Sequence, residues 1–333
     1  MVNSADVADV GTGAVAPVPI ALSQEFSRPD RAYRAGVRTA AFSALLLLFL
    51  IGLFLFLRGY PALQREGVVR FFTTSGFQTL GSRPLYGVLA SLVGTLEVAT
   101  VAICVGAPLA IATALFLSEY APTWSRRALI AMVDLAAAIP SVIFGLWAVY
   151  ELQPNVVGLS TWLARHASFL PFFQASSPPL SSSLFIAGIV VGIMIVPIVA
   201  SICREVCSLA PAGEREAALA LGASRWQMIR TVVLPFGRGG MIGAVMLGLG
   251  RALEETIAVS IILASSFAVS IHVLEHGGST ISELIATNFN SGGTLGTADL
   301  LLCGFVLFVL TLVINLAASA IVNRSRSGAG VDL

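Results

Sequence analysis

The sequence predicts an all-α membrane protein, a bundle of six transmembrane helices in one domain. Three observations carry this. The 333-residue chain is 56% hydrophobic and only 11% charged, with a mean hydropathy of +0.89, whereas a soluble domain carries about 25% charged residues. Six apolar runs of roughly 17–25 residues, the length that crosses about 30 Å of hydrocarbon, follow one another along it. Between the fourth and fifth runs lies a segment too polar to span and too patterned for a floppy linker.

Taken in order, residues 1–30 are rich in Ala, Val, Gly and Ser without periodicity and read as a disordered tail. The first apolar run begins near residue 39, too far from the start for a signal peptide. Spans are expected over about 39–57, 91–117, 128–151, 183–203, 239–264 and 299–322. Together they make a single transmembrane domain, residues 31–323, with a loop at 204–238 and a second tail at 324–333. The second span is long enough to tilt or to include an interfacial turn. Pro108, Pro140 and Pro197 fall within spans and are expected to kink them.

Orientation follows from arginine, since no lysine occurs and all 19 basic residues are arginines. With the N-terminus inside, the inner segments hold Arg28, Arg31, Arg34 and Arg38, then Arg126 and Arg127, then the loop arginines from Arg204 to Arg238, then Arg324 and Arg326. The outer segments hold Arg58, Arg65, Arg70, Arg83 and Arg165, and the outer stretch 265–298 holds none. The positive-inside rule therefore places both termini in the cytoplasm. Arg31, Arg34 and Arg38 recur at helical spacing and serve either as that topology signal or as a contact with anionic lipid. The absence of lysine also rules out a P-loop, whose phosphate-binding residue is a lysine. If ATP drives this protein, another chain hydrolyses it.

The residues that carry chemistry lie in the fifth run, GMIGAVMLGLGRALEETIAVSIILA. Arg251 is twelve residues from either end of Gly239–Leu263. At about 1.5 Å of rise per residue it is expected at the bilayer midplane. A charge there costs on the order of 3 kcal/mol, so Arg251, Glu254 and Glu255 are expected to line a polar path through the bundle. On an uninterrupted helix, i+3 and i+4 return to the face of residue i, so both glutamates would flank Arg251 on one stripe. One carboxylate neutralises the guanidinium. The second is either protonated at depth or paired with an arginine of a neighbouring subunit. A structural ion pair that fixes helix rotation is the alternative to a translocation role.

Elsewhere the chemistry is sparse. Cys104, Cys203, Cys207 and Cys303 fall in or beside apolar runs and read as small packing residues. His272 and His276 stand at i, i+4 in the arginine-free outer region, and two ligands alone do not make a metal site. Asp134 reads as capping or solvated near a mouth, and Glu97 lies near the outer end of the second span, where lining a vestibule is the functional alternative. Neither a metalloprotease HExxH nor a GxSxG elbow occurs.

The loop 204–238 reads as two short helices around a glycine. Pro211 and Gly213 break the chain, Glu214–Leu221 forms a helix that Gly222 ends, and a second stretch carries Trp226, Ile229 and Val233 on one face until Pro235 stops it. Such a projecting knob suits insertion into a cleft on a partner, and a simple connector packed under the bundle is the alternative. Its residues also carry a resemblance. Glu216-Ala217-Ala218, then Gly222, then Val232-x-Leu234-Pro235 resembles the EAA signature of ABC-importer permeases, with valine at 232 where isoleucine is usual. In that family the loop is the coupling helix seated in a groove of the ATPase subunit.

Three further stretches, PLAIATALFLSEYAP (108–122), LAAAIPSVIFGLW (135–147) and GLGRALEETIAV (248–259), are similar to the permeases of the phosphate-specific importer. The long first span and first outer loop look more like its PstC-type subunit than its PstA-type subunit. The resemblance covers roughly residues 30–322, and departs from the family's pattern at Glu254, where glycine is usual.

The resemblance implies a type-I ABC-importer permease fold in a bacterial plasma membrane, translocating inorganic phosphate by alternating access. It assigns Arg251, Glu255 and, less directly, Glu254 to the path, and Glu216, Ala217, Ala218, Gly222, Leu234 and Pro235 to ATPase coupling. It implies a second related permease, two ATPase subunits holding ATP and Mg, and an extracytoplasmic phosphate-binding protein. The chain itself needs no cofactor or metal and no nucleic acid. A permease for sulfate, molybdate or a phosphonate, or an ATP-independent ion or proton-coupled transporter, are the rival readings.

Overall fold

The computed structural model describes residues 28–78, 85–175, 181–290 and 293–326. The tails expected at 1–30 and 324–333 fall largely outside these residues. The chain divides into two units, residues 1–51 and 52–333. In the first, residues 28–51 are helical and begin α1 (Arg28–Glu66). Its apolar side chains, Leu45 and Phe49 among them, are exposed, as suits a helix whose solvent is hydrocarbon.

The second unit starts within α1, which carries Pro61 and is followed by α2 (Val68–Thr73). Next comes a feature that an all-α expectation omits: β1 (Ser75–Gln78) pairs antiparallel with β2 (Leu85–Val88), Phe77 opposite Tyr86. Gly87 permits this, because a Cβ there would collide with the Thr74 carbonyl. The chain continues as α3 (Leu89–Leu115), α4 (Thr123–Ala137), α5 (Ser141–Trp147) and α6 (Gln153–His166). Then follow α7 (Leu184–Ser208), α8 (Ala212–Ala220), α9 (Arg225–Met228) and α10 (Leu234–Glu254). The last helices are α11 (Ile257–Ile262), α12 (Ile281–Asn288) and α13 (Gly293–Arg326). Five-residue π turns follow α3 (Phe116–Tyr120), join α5 to α6 (Ala148–Leu152) and join α9 to α10 (Ile229–Val233).

Among the described residues, six helices are long and apolar enough to cross a membrane: 29–66, 89–120, 141–166, 184–208, 225–254 and 296–322. The number agrees with the sequence; two of the positions do not. The third span was expected at 128–151, but the chain breaks at Ala138–Pro140, where proline lacks the amide a continuing helix needs. The long apolar helix starts only at Ser141. The fifth span was expected at 239–264. It runs instead from Arg225 to Glu254. Pro235 does not stop the knob's second helix: the chain runs on through the π turn Ile229–Val233 into α10, in whose first turn Pro235 lies.

The centre of the unit is the pair α3 and α7, on which α10 packs. In lipid, helices associate through close packing of small residues rather than hydrophobic burial. A Cβ on Gly106 of α3 would lie 2.6 Å from the Gly192 carbonyl oxygen of α7, and one on Gly248 of α10 would lie 2.6 Å from Val199 Cγ2. Ala102, Val191, Ile195 and Val199 fill the space between these crossings and are fully buried. A second cluster around Phe71, Phe77, Ile281, Leu284 and Leu300 joins the hairpin to α12 and α13.

Between α11 and α12 the backbone is irregular and ties itself down with hydroxyls. Glu283 is buried, and its carboxylate accepts from Ser265 Oγ at 2.5 Å and Ser279 Oγ at 3.0 Å. Ser279 in turn meets Ser91 of α3 at 3.0 Å, and Thr95 Oγ1 accepts from the Ile281 amide. A buried carboxylate such as that of Glu283 is kept only where such donors satisfy it.

Candidate translocation site

The fifth span ends inside the apolar run that carries its charges. Glu255 is extended, with φ −65° and ψ 125°. Its carboxylate oxygen Oε1 accepts from the Ala258 amide at 3.1 Å, which satisfies one of the orphan donors at the start of α11. Thr256 Oγ1 donates to the Glu254 carbonyl at 3.0 Å, closing the end of α10. Side chains thus make a helix stop where no glycine or proline occurs.

This corrects the expected geometry of Arg251, Glu254 and Glu255. Arg251 is not at the centre of a continuous helix but in the last turn of α10. Glu254 shares its stripe at i+3 and is exposed, as Arg251 is. Glu255 lies beyond the helix end, is only 9% exposed, and is held by the α11 backbone. None of the three enters an ion pair among the described residues, so the expected neutralising pair within this chain does not form.

What the structure does bring together is a cavity. Arg251, Glu254 and Glu255 line about 520 Å³ with Leu247 and Gly250 of α10, Ile198 of α7 and Asn315 of α13. A cation at a helix C-terminus is favoured by the helix dipole, which helps hold an unpaired guanidinium there. Sequence reasoning missed Asn315, although a lone amide in the apolar run LFVLTLVINLAASAIV was a signal. A second cavity of about 410 Å³ shares Leu247 and Asn315 and continues along α10 and α13 past Gly243, Ser319 and Val322. The two lead from Arg251 towards the end of α10 that joins the knob.

The knob is built from two capped helices. Gly222 has φ +85°; its amide donates to the Leu219 carbonyl and the Ala223 amide to the Ala218 carbonyl, a Schellman closure of α8. Ser224 and Gln227 form a reciprocal capping box at the start of α9. Glu216 and Ala217 face solvent, Ala218 is half-buried, and Leu221 is 89% exposed between the two helices. Ile229 and Val233 are buried while Trp226 is exposed, so these three do not present one free face. Leu234, half-buried, and Pro235 open α10. Asp134 lies exposed on α4, outside the six long helices, and Glu97 is half-buried on α3.

Residues 106–327 match the family described as binding-protein-dependent transport system inner membrane component. The chain is 39% identical over 305 residues to the phosphate transport system permease protein PstC 2 of Mycobacterium tuberculosis, covering 90% of this chain and 94% of that protein. It is 39% identical to PstC of Mycobacterium leprae, covering 94% of this chain and 100% of that protein. With the probable PstC of Methanocaldococcus jannaschii it shares 35% identity over 86% of this chain and 91% of that protein. A crystal structure of a bacterial ABC transporter involved in import of the acidic polysaccharide alginate has the same fold, with a TM-score of 0.52 at 20% identity over 88% of this chain and 99% of that one. The chain belongs to the binding-protein-dependent transport inner membrane components: it is a multi-pass permease of the ABC-importer class, one part of a complex in which a separate ATPase hydrolyses ATP.

Proposed function

We propose that this chain is the PstC-type permease of a phosphate importer, and that Arg251 is the group its cargo meets in the membrane. One observation carries the reading: a guanidinium with no carboxylate partner among the described residues faces a cavity between α10 and α13. Arginine suits a tetrahedral oxyanion, since its planar fork donates two parallel hydrogen bonds and stays charged. The relatives named for phosphate transport supply the choice of anion. Glu254 and Glu255 on the same wall favour phosphate over sulfate, because phosphate at neutral pH retains a proton to donate to a carboxylate and sulfate does not. Asn315 adds an uncharged donor on the opposite helix.

The complex contains, on this reading, a second related permease, two ATPase subunits and an extracytoplasmic phosphate-binding protein, with both termini of this chain in the cytoplasm. ATP binding closes the ATPase pair, the α8–α9 knob moves with it, and the bundle opens outward to take phosphate from the binding protein. Hydrolysis returns it inward, and the groove past Asn315 and Ser319 is the release route.

The test is uptake of radiolabelled phosphate in cells lacking their own importer and carrying the complete system. Uptake that persists under a hundredfold excess of sulfate, and that ceases without the ATPase, is the expected result. Uptake abolished by sulfate would point to another oxyanion as cargo, and uptake without the ATPase would point to an ATP-independent transporter.

A further inference from the structure

Neither the signature residues of the knob nor the charges of the cavity explain how α8 is attached to the bundle. Three residues, Leu209–Pro211, join it to α7, and Leu221–Ser224 join it to α9. Turns that short keep the nine-residue helix close to both neighbours, and Ala218 packs on the core. One side chain adds a direct polar tie to the bundle. Arg215 of α8 forms an ion pair with Glu119 at 3.0 Å, Nη1 to Oε1, with 20% and 6% of the two side chains exposed. Its Nη2 donates to the Cys207 carbonyl in the last turn of α7, at the negative end of that helix, where the same oxygen also accepts from the Ala210 amide.

Glu119 lies in the π turn that closes α3. Its backbone carbonyl also accepts from Arg225 Nη1 of α9 at 3.3 Å. Both helices of the knob therefore grip one residue at the end of α3, and one of them grips the end of α7 as well. The π turn matters, since the extra residue per turn reorients the side chains that follow, and such turns recur at working positions of helices.

We propose that Glu119 is a positioning residue that transmits motion of the knob to α3 and α7, and through α7 to the α10 helix that carries Arg251. The pair is sheltered enough to act as a rigid link, whereas an exposed ion pair would be screened and mobile. From Glu119 the path continues through backbone-close crossings, Gly106 against Gly192 and Gly248 against Val199. Interfaces packed this closely move as units rather than deform. The proposal rests on the reading of α8–α9 as the ATPase contact.

The experiment uses the complete transporter reconstituted in lipid vesicles and measures phosphate moved per ATP hydrolysed, together with retention of the ATPase on purification. Glu119→Gln keeps size and the backbone contact but removes the charge. It is expected to leave the ATPase bound and hydrolysing while the transport ratio falls at least about fivefold, the lower end of ordinary coupling effects. Glu119→Asp, which keeps the charge facing Arg215, is expected to retain at least half of the wild-type ratio, which a residue valued only for its side-chain volume would not show, since aspartate is smaller than glutamine. A wild-type ratio in Glu119→Gln, or a ratio in Glu119→Asp no better than in Glu119→Gln, overturns the proposal. Leu221→Asp keeps the two failures apart. Unchanged ATPase retention in that variant removes the docking reading and the proposal with it, whereas lost retention with a normal ratio in Glu119→Gln removes the proposal alone.

Discussion

Replacing Arg251 with leucine is expected to reduce phosphate uptake at least about a hundredfold while the chain reaches the membrane at its normal level. The magnitude follows from what is lost. Two charge-assisted hydrogen bonds at about 1.5 kcal/mol each amount to about 3 kcal/mol, and 1.4 kcal/mol is a factor of ten. The normal level follows from the setting, because among the described residues Arg251 holds no ion partner whose loss would leave a buried carboxylate alone, and leucine is less costly in an apolar helix than arginine. Arg251→Lys keeps the charge but not the planar fork, and a few per cent of wild-type uptake is the expected result. The measurement is initial uptake rate normalised to immunodetected protein. A leucine variant with near-normal uptake would reduce Arg251 to a structural cation at the end of α10.

The largest stability effect is expected at Gly106. A valine there would drive its Cβ to within 2.6 Å of the Gly192 carbonyl oxygen and 2.9 Å of Ile195 Cγ1. Overpacking of this kind costs about 1–3 kcal/mol when side chains can yield. Here a backbone oxygen on the facing helix is the obstacle, so α3 and α7 have to separate and lose dispersion contacts along the crossing. Membrane levels of Gly106→Val are expected to fall severalfold. Gly158→Val is the control, because nothing lies within 4 Å of a Cβ at that position of α6. Equal levels of the two variants would show that the α3–α7 crossing is looser than the geometry requires.

Much of this was legible in the sequence, for identifiable reasons. Six spans follow from length and apolarity alone, and the knob follows from Pro211 and Gly222, residues whose backbone chemistry leaves little choice. The break after Glu254 was not legible. The run LEETIAVSII carries no glycine or proline, and hydropathy cannot register a stop made by a carboxylate turning to the Ala258 amide. The geometry of Arg251 changed accordingly, from a flanked mid-helix charge to an open one at a helix end. Asn315 was visible as a lone amide, yet only the packing of α13 on α10 gives it a neighbour. The Arg215–Glu119 pair joins residues nearly a hundred positions apart, beyond the reach of any local pattern. The β1–β2 hairpin was missed because its strands are four residues each, too short to show an alternating pattern.

The central claim is that phosphate passes through the cavity that Arg251 shares with α13. Leu247 lines both the Arg251 cavity and the second cavity along α10 and α13, and is exposed. The decisive measurement is the rate at which a negatively charged thiol reagent modifies Leu247→Cys in the complete transporter, with the exposed Cys104 replaced by serine. During ATP-driven turnover, phosphate is expected to slow that modification severalfold while sulfate leaves it unchanged. A rate indifferent to phosphate would place the translocation path elsewhere and contradict the account.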